Sequence, residues 1–248
     1  MANNTLAFQL YSLRQYEDGY QAAFEAVRDM GIDTIEVWSG AVRQDTPIPS
    51  VDALSAKLRH GGMKLTCGHI ALGDYQTHFH QWQRLLLDLG STDWVIPFAK
   101  ADSLEEWLGL LPRFRQMADR LAEDGLNLGY HNHHRELAKL GDRHVMEHLL
   151  DNMPALRAQF HIGQFTPALG ISLPDWIRKY EGRICSLHLN DATDEGPAPL
   201  GQGTCKAEES IKAALDSGVD TFIVEVPLTR STAEAVRRDV EFAAELLS

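Results

Sequence analysis

"YQAAFEAVRDMGIDTIEVW", residues 20–38, contains the unit whose recurrence sets the fold. Ala23, Phe24, Val27 and Met30 recur at the spacing of a helix with one apolar face, and Gly31 is the residue type that most readily closes such a helix. "IDTIEVW" then reads as a short strand, with Glu36 and Trp38 on one side and Ile35 and Val37 on the other.

The same alternation continues on both sides of this stretch. Upstream lies the strand "LAFQLYSL". Downstream come the helix "SVDALSAKLRHGG" with Ser50 as its N-cap, the strand "KLTCGHI", the helix "THFHQWQRLLLDLG" and the strand "WVIPFA". "LEEWLGLLPRFRQMADRLAEDG" leads to "LNLGYHNH", "HVMEHLLDNM" to "LRAQFHIG", "LPDWIRKYEG" to "ICSLHLND", and "AEESIKAALDSG" to "TFIVEV". The helix "STAEAVRRDVEFAAELL" closes the chain. The eight strands end at Tyr11, Glu36, His69, Phe98, His131, His161, His188 and Glu225, 25 to 37 residues apart. Such alternation predicts a parallel sheet with right-handed crossovers. Eight units in 248 residues predict a closed (β/α)8 TIM barrel, one domain over residues 1–248. The phosphate fingerprint GxGxxG of an open doubly wound sheet is absent after the first strand, and "GQGT" at 201–204 is too short to replace it.

Composition excludes several function classes. A net charge of -12 repels phosphate backbones, so no nucleic acid partner is expected. Cys67, Cys185 and Cys205 are odd in number and lack CxxC spacing, which points to reduced thiols rather than a disulfide framework. The N-terminus has no signal-peptide pattern and no stretch is long and apolar enough to span a bilayer. The expectation is a soluble cytoplasmic protein with no membrane partner; homo-oligomerisation is left open.

In a barrel of this kind chemistry gathers at the carboxyl ends of the strands. Gln9 and Tyr11 end the first strand, with Arg14 just beyond; Glu36 and Trp38 end the second and His69 the third. His131, Asn132, His133 and Glu136 follow the fifth, His161 and Gln164 the sixth, His188, Asn190 and Asp191 the seventh, and Glu225 the eighth. Imidazole and carboxylate donors from several strands suit one divalent metal such as Mn, Co, Zn or Fe, which would acidify a proton beside a bound carbonyl or hydroxyl. His60, His78, His80, His144 and His148 fall in helices or loops and are expected to be structural or solvated. No cysteine ends a strand, which argues against a Cys–His nucleophile.

At these residues the chain resembles the sugar phosphate isomerase/epimerase family of xylose-isomerase-like barrels. "FQLYSLR" resembles its first strand, "LGYHNHHREL" the YHNHxxEF element of one branch, "LRAQFHIGQF" its sixth strand, "RICSLHLNDAT" its HxKD element, "PLGQGT" its PLGxG loop, and "FIVEV" its last strand. The resemblance implies a metal held by two Glu, one Asp and one His. Carried over, it assigns His188, Glu225 and, from the xEF part, Glu136 as ligands, with His131 and His133 left for substrate or proton transfer and His134 turned away. Glu136 and Glu225 also stand with His131 and His133 as acid/base candidates. Two departures stand out: His161 replaces the metal Asp, and Asn190 replaces the Lys of HxKD. His161 as fourth ligand would favour Zn, Co or Fe.

The expected activity is metal-dependent isomerisation or epimerisation of a small sugar, keto-sugar or polyol derivative by proton abstraction beside a carbonyl. Gln9, Tyr11, Glu36, Trp38, His69, Gln164 and Asp191 are the expected substrate contacts. The absence of an Arg/Lys cluster after strands seven and eight favours a non-phosphorylated substrate. The alternatives are a lyase on the same scaffold, dehydrating a keto-inositol or eliminating from a 3-keto-glycoside, or a degenerate barrel that binds sugar without turnover. The DNA-repair endonucleases that share the barrel fit poorly, because they need a basic face.

Overall fold

Eight parallel strands close on themselves: β1 (Thr5–Gln9), β2 (Thr34–Trp38), β3 (Lys64–His69), β4 (Asp93–Ile96), β5 (Asn127–His131), β6 (Arg157–His161), β7 (Ile184–Leu189) and β8 (Thr221–Val224). Each pairs with its sequence neighbour, and β1 meets β8 from Thr5↔Thr221 to Phe8↔Val224. The expected (β/α)8 barrel is therefore the architecture. The structure is a computed structural model that describes residues 4–13, 19–44, 48–230 and 232–248. Arg14 lies outside the described residues. No helix among the described residues is long and apolar enough to cross a membrane.

Period-two alternation along the strands separates two cores. Phe8, Ile35, Trp94, Tyr130, Phe160 and Phe222 are buried in the large cluster that the strands share with the helices. Their strand neighbours Ala7, Val95 and Ile223 join Cys67 and Cys185 in a separate small cluster, a plug inside the barrel. Gly129 faces the same plug, where a Cβ would come within 3.1 Å of Val95 and 3.2 Å of the Cys185 sulfur. Two residues further along the respective strands, on the same inner side, stand Gln9, His69, Pro97, His131 and Glu225. A barrel interior is usually filled by branched apolar side chains to its top; here the apolar layer is thin, and a polar layer rests directly on it.

Strand register brings distant residues side by side. Gln9 pairs with Glu36, Trp38 with His69, His131 with Gln159, and His161 with His188.

Several boundaries differ from the expectation. β1 stops at Gln9, and Leu10–Leu13 form a 3-10 turn carrying Tyr11. β4 stops at Ile96 because Pro97 has no N–H for the ladder. The helix expected over residues 104–125 is two, Leu104–Gly109 and Leu111–Ala122, parting just before Pro112. Proline removes the N–H that Leu108 would need for a continuous helix. Two small hairpins, Lys139–Leu140 with Arg143–His144 and Asp191–Thr193 with Gly196–Ala198, stand in the loops after β5 and β7. Ser50 does cap its helix, accepting from Ala53 N at 3.1 Å.

Candidate metal centre

At the carboxyl ends of the strands lies a cavity of about 710 Å³, within the range of small-molecule sites. Tyr11 and Trp38 meet edge to face at 5.0 Å in its wall, and half-exposed Phe98 stands across from the polar floor. Gln9, His69, His131, His161 and Glu225 form that floor.

Four donor atoms converge there. One atom each from His131, His161, His188 and Glu225 lies within 4.8 Å of all the others. His131 Nε2 is 2.9 Å from His161 Nδ1, His161 Nδ1 is 3.7 Å from Glu225 Oε2, and His188 Nδ1 is 2.7 Å from the same oxygen. Glu36 and His188, buried beneath the floor, form a second group with His69. His188 belongs to both. Its Nε2 lies 2.7 Å from Glu36 Oε2, an ion-pair contact whose angle falls short of a hydrogen bond.

Glu36 is the acceptor on which this layer ends. It accepts from Gln9 Nε2, from Gln159 Nε2 at 2.7 Å and from the Cys67 thiol at 2.8 Å. Gln159 also donates to Ser186 Oγ at 2.8 Å, so its amide oxygen is turned to His131 Nδ1, 2.7 Å away, and to His69 Nε2.

Burial and neighbouring charge set the protonation pattern. Burial pushes the His188 ring down, but Glu36 and Glu225 more than reverse this and raise it to about 10. Burial lifts Glu36, yet the His69 and His188 charges bring it to about 2. Glu225 is likewise lifted by burial and pulled well below the carboxylate range by the His188 hydrogen bond and the His161 charge. Burial leaves His161 at about 3 and His133 at about 4, and drives His131 well down. At neutral pH the layer thus holds two carboxylates and one imidazolium, a net of one negative charge. A divalent cation replacing the His188 proton would bring it to neutrality, and one carboxylate with imidazoles is a donor set for Zn, Co, Fe or Mn. By charge and donor type the residues fit a metal.

The expected site residues part company here. His161, His188 and Glu225 come together, but Glu136 does not join them. Its Oε1 accepts from Tyr130 OH and its Oε2 from His133 N, both at 2.8 Å. Tyr130 precedes inward-facing His131 on β5 and so points out toward the helices, and Glu136 goes with it. His131 takes the place in the cluster that was expected for Glu136. Glu36 is wholly buried below the cavity rather than exposed to substrate, because it lies one inward step deeper than Trp38. Tyr11, Trp38, His69, His133 and Gln164 line the cavity. His134 is exposed. His60, His78 and His80 are exposed too, while His144 and His148 meet the backbone carbonyls of Leu137 and Leu140. Gln159 was missed. Its signal was present: it stands two before His161 on one strand and therefore shares its face.

Asp191 borders the cavity, but its carboxylate holds the loop. It accepts from Ala192 N at 2.9 Å, Gly203 N at 3.0 Å and Cys205 N at 3.1 Å, and a Cβ on Gly203 would lie 2.1 Å from its Oδ1. Asp191→Ala should therefore cost about 2–4 kcal/mol in denaturant unfolding, from the lost charge-assisted bonds and the amides left without an acceptor. Gly203→Ala should reproduce much of that loss with the carboxylate still present. A full-stability Asp191→Ala protein would contradict the clamp.

A family profile described as xylose isomerase-like TIM barrel matches residues 24–246. No curated protein sequence matches the chain. Among solved structures, a sugar phosphate isomerase/epimerase from Parabacteroides distasonis ATCC 8503 superposes with a TM-score of 0.78 at 17% identity, covering 100% of this chain and 96% of that one. The IOLI protein with a binding zinc atom gives 0.76 at 17% identity, with 98% of each chain covered. The probable 3-DHS dehydratase AsbF from Bacillus anthracis gives 0.75 at 13% identity over 97% of this chain and 98% of the other. At these identities the likeness establishes the fold.

Proposed function

The chain belongs to the xylose isomerase-like TIM barrel family, and on that premise we propose that it is a metal-dependent isomerase or epimerase of a small keto-sugar or polyol derivative. The observation that carries this reading is the convergence of His131, His161 and Glu225 on the floor of an aromatic-walled cavity at the catalytic end of the barrel, with His188 buried just behind them. A sugar phosphate isomerase/epimerase and the IOLI protein with a binding zinc atom among the structural neighbours support it.

His131, His188 and Glu225, with His161 beside them, would hold the metal. When bound, the metal polarises adjacent carbonyl and hydroxyl oxygens and makes the C–H beside the carbonyl acidic. The chain supplies the rest. Tyr11, Trp38 and Phe98 offer apolar faces to the ring carbons and keep water from that wall. His133 lines the cavity as a neutral imidazole, with its Nδ1 buried and without a hydrogen-bond partner. We assign it as the base that takes the proton; returning it to the neighbouring carbon gives isomerisation, whereas epimerisation needs a second group to reprotonate the same carbon from the opposite face. Arg230, the first described cation after β8, is committed to Ala198 O at 2.7 Å and Asp239 at 3.4 Å, which supports a non-phosphorylated substrate.

The test is solvent exchange. A panel of keto-hexoses, keto-pentoses and keto-inositols in D2O, with Mn, Co or Zn, should show deuterium entering beside the carbonyl of one substrate, and a chelator should stop it. His133→Ala should slow this by about 10²–10⁴-fold while metal uptake is kept. Loss of water from the substrate would instead assign a lyase. No exchange with any substrate, in a protein that takes up no metal, would end the enzymatic reading.

A further inference from the structure

His161 and Asn190, the two residues that depart from the pattern the resemblance implies, face each other. Asn190 Nδ2 meets His161 Nε2, and both side chains are buried, 5% exposed each. Which end of the amide faces the ring is decided by the backbone. Gly163 N donates to Asn190 Oδ1 at 2.8 Å, and a Cβ on Gly163 would come within 2.8 Å of that same oxygen, so glycine is what permits the contact. Turning the amide over would set two donors against each other. Asn190 therefore presents N–H to His161, Nε2 must accept, and the ring's single proton sits on Nδ1.

The same polarity is imposed from the other end. Glu36 can only accept, so Gln159 gives it an N–H and turns its oxygen to His131 Nδ1. His131 then carries its proton on Nδ1 and leaves Nε2 as a lone pair, facing His161 Nδ1 at 2.9 Å. Donation runs one way: Asn190 to His161, His161 to His131, His131 to Gln159, Gln159 to Glu36. A ligand histidine normally gives its distal N–H to a carboxylate or carbonyl, which frees the proximal nitrogen for the metal. His131 has that arrangement with Gln159, and His188 has Glu36 beside its distal nitrogen. His161 has the reverse.

Resting on the metal-dependent reading above, we infer that Asn190 holds His161 as its Nδ1–H tautomer, so that a metal is held by His131, His188 and Glu225 while His161 faces the cavity as a hydrogen-bond donor. Asn190 is a positioning residue in this scheme. His161 in place of the Asp, and Asn190 in place of the Lys, that the family resemblance implies then form one unit: the ring sits as a donor and its partner fixes the proton. Once His131 Nε2 engages a metal, the His161 Nδ1–H is free to donate to a substrate oxygen.

Two measurements test this on the full chain. Long-range ¹H–¹⁵N spectra of metal-free, histidine-labelled protein should show His161 protonated on Nδ1 and unprotonated on Nε2; the opposite assignment overturns the inference. Competition with a chelator for Co²⁺ and Zn²⁺ should show His131→Ala losing at least about 100-fold in affinity and His161→Ala less than about 5-fold. Asn190→Asp keeps the acceptor for Gly163 N and offers a carboxylate oxygen to His161 Nε2. It should move the ring proton to Nε2 in the spectrum and tighten metal binding about 10–100-fold. Equal losses in His131→Ala and His161→Ala, with no gain in Asn190→Asp, would overturn the three-ligand centre. Metal binding by Asn190→Asp but not by the natural protein would uphold the role of Asn190 and sink the metal-dependent function. No uptake by either would sink the function and the three-ligand centre together, and the spectrum would still decide the tautomer.

Discussion

Glu225→Ala is expected to abolish metal uptake and to lower kcat/KM for the exchange reaction by at least about 10³-fold. Glu225 is the one carboxylate among the four converging donors, and its Oε2 lies 2.7 Å from His188 Nδ1 and 3.7 Å from His161 Nδ1. Removing it leaves only neutral imidazoles around the ion. The metal supplies several kcal/mol of charge stabilisation in the transition state, and about 4 kcal/mol corresponds to about 10³ in rate. Glu136→Gln is the contrasting control. Its oxygens hold Tyr130 OH and His133 N outside the cluster, so metal stoichiometry should be unchanged while the turn after β5 loosens. Metal analysis and the solvent-exchange assay on the two variants read both effects. Stoichiometric metal in Glu225→Ala, or loss of metal in Glu136→Gln, would reverse the assignment.

The second large effect concerns stability. Glu36→Gln should destabilise the metal-free protein by about 3–5 kcal/mol, because it strands the buried His188 imidazolium with one counter-charge instead of two. The pH dependence follows from the same pair. Glu36, pushed up by burial but brought to about 2 by His69 and His188, stabilises the fold above the ordinary carboxylate value near 4.5, and this is lost as pH falls toward 2. His188, pushed down by burial but raised to about 10 by Glu36 and Glu225, stabilises the fold fully below about 6.5, and this is lost as pH rises through 10. Both describe one ion pair, counted once. Denaturant titrations in chelator should therefore give a stability plateau between about pH 4.5 and 6.5 that falls on either side. Glu36→Gln should lower the plateau and flatten its acid limb. An unchanged acid limb would show that Glu36 is not what holds it.

Residues 20–38 show how much of the fold is legible in the chain alone. The helix, the glycine stop and the strand are local matters of apolar period and turn chemistry, and eight repeats of that rhythm leave a closed parallel barrel as the simplest way to bury the faces it creates. The barrel in turn predicts that residues ending strands gather at one mouth, so His161, His188 and Glu225 could be named together from positions far apart in the chain. Pro97 and Pro112 moved boundaries, since a missing N–H ends a ladder or divides a helix wherever the pattern would otherwise continue.

What remained hidden was the direction in which a polar side chain turns once the barrel closes. Glu136 looked like a ligand because it follows the YHNH element; Tyr130, on the outer face of β5, draws it away. Glu36 looked like a substrate contact, but closure carries β6 across the interior so that Gln159 reaches it from 123 positions along the chain. Hydrophobic rhythm is written in neighbouring residues and determines the fold. Protonation, amide orientation and ligand choice depend on atoms brought within 3 Å from other strands, and those distances exist only after the register His161↔His188 and its counterparts have formed.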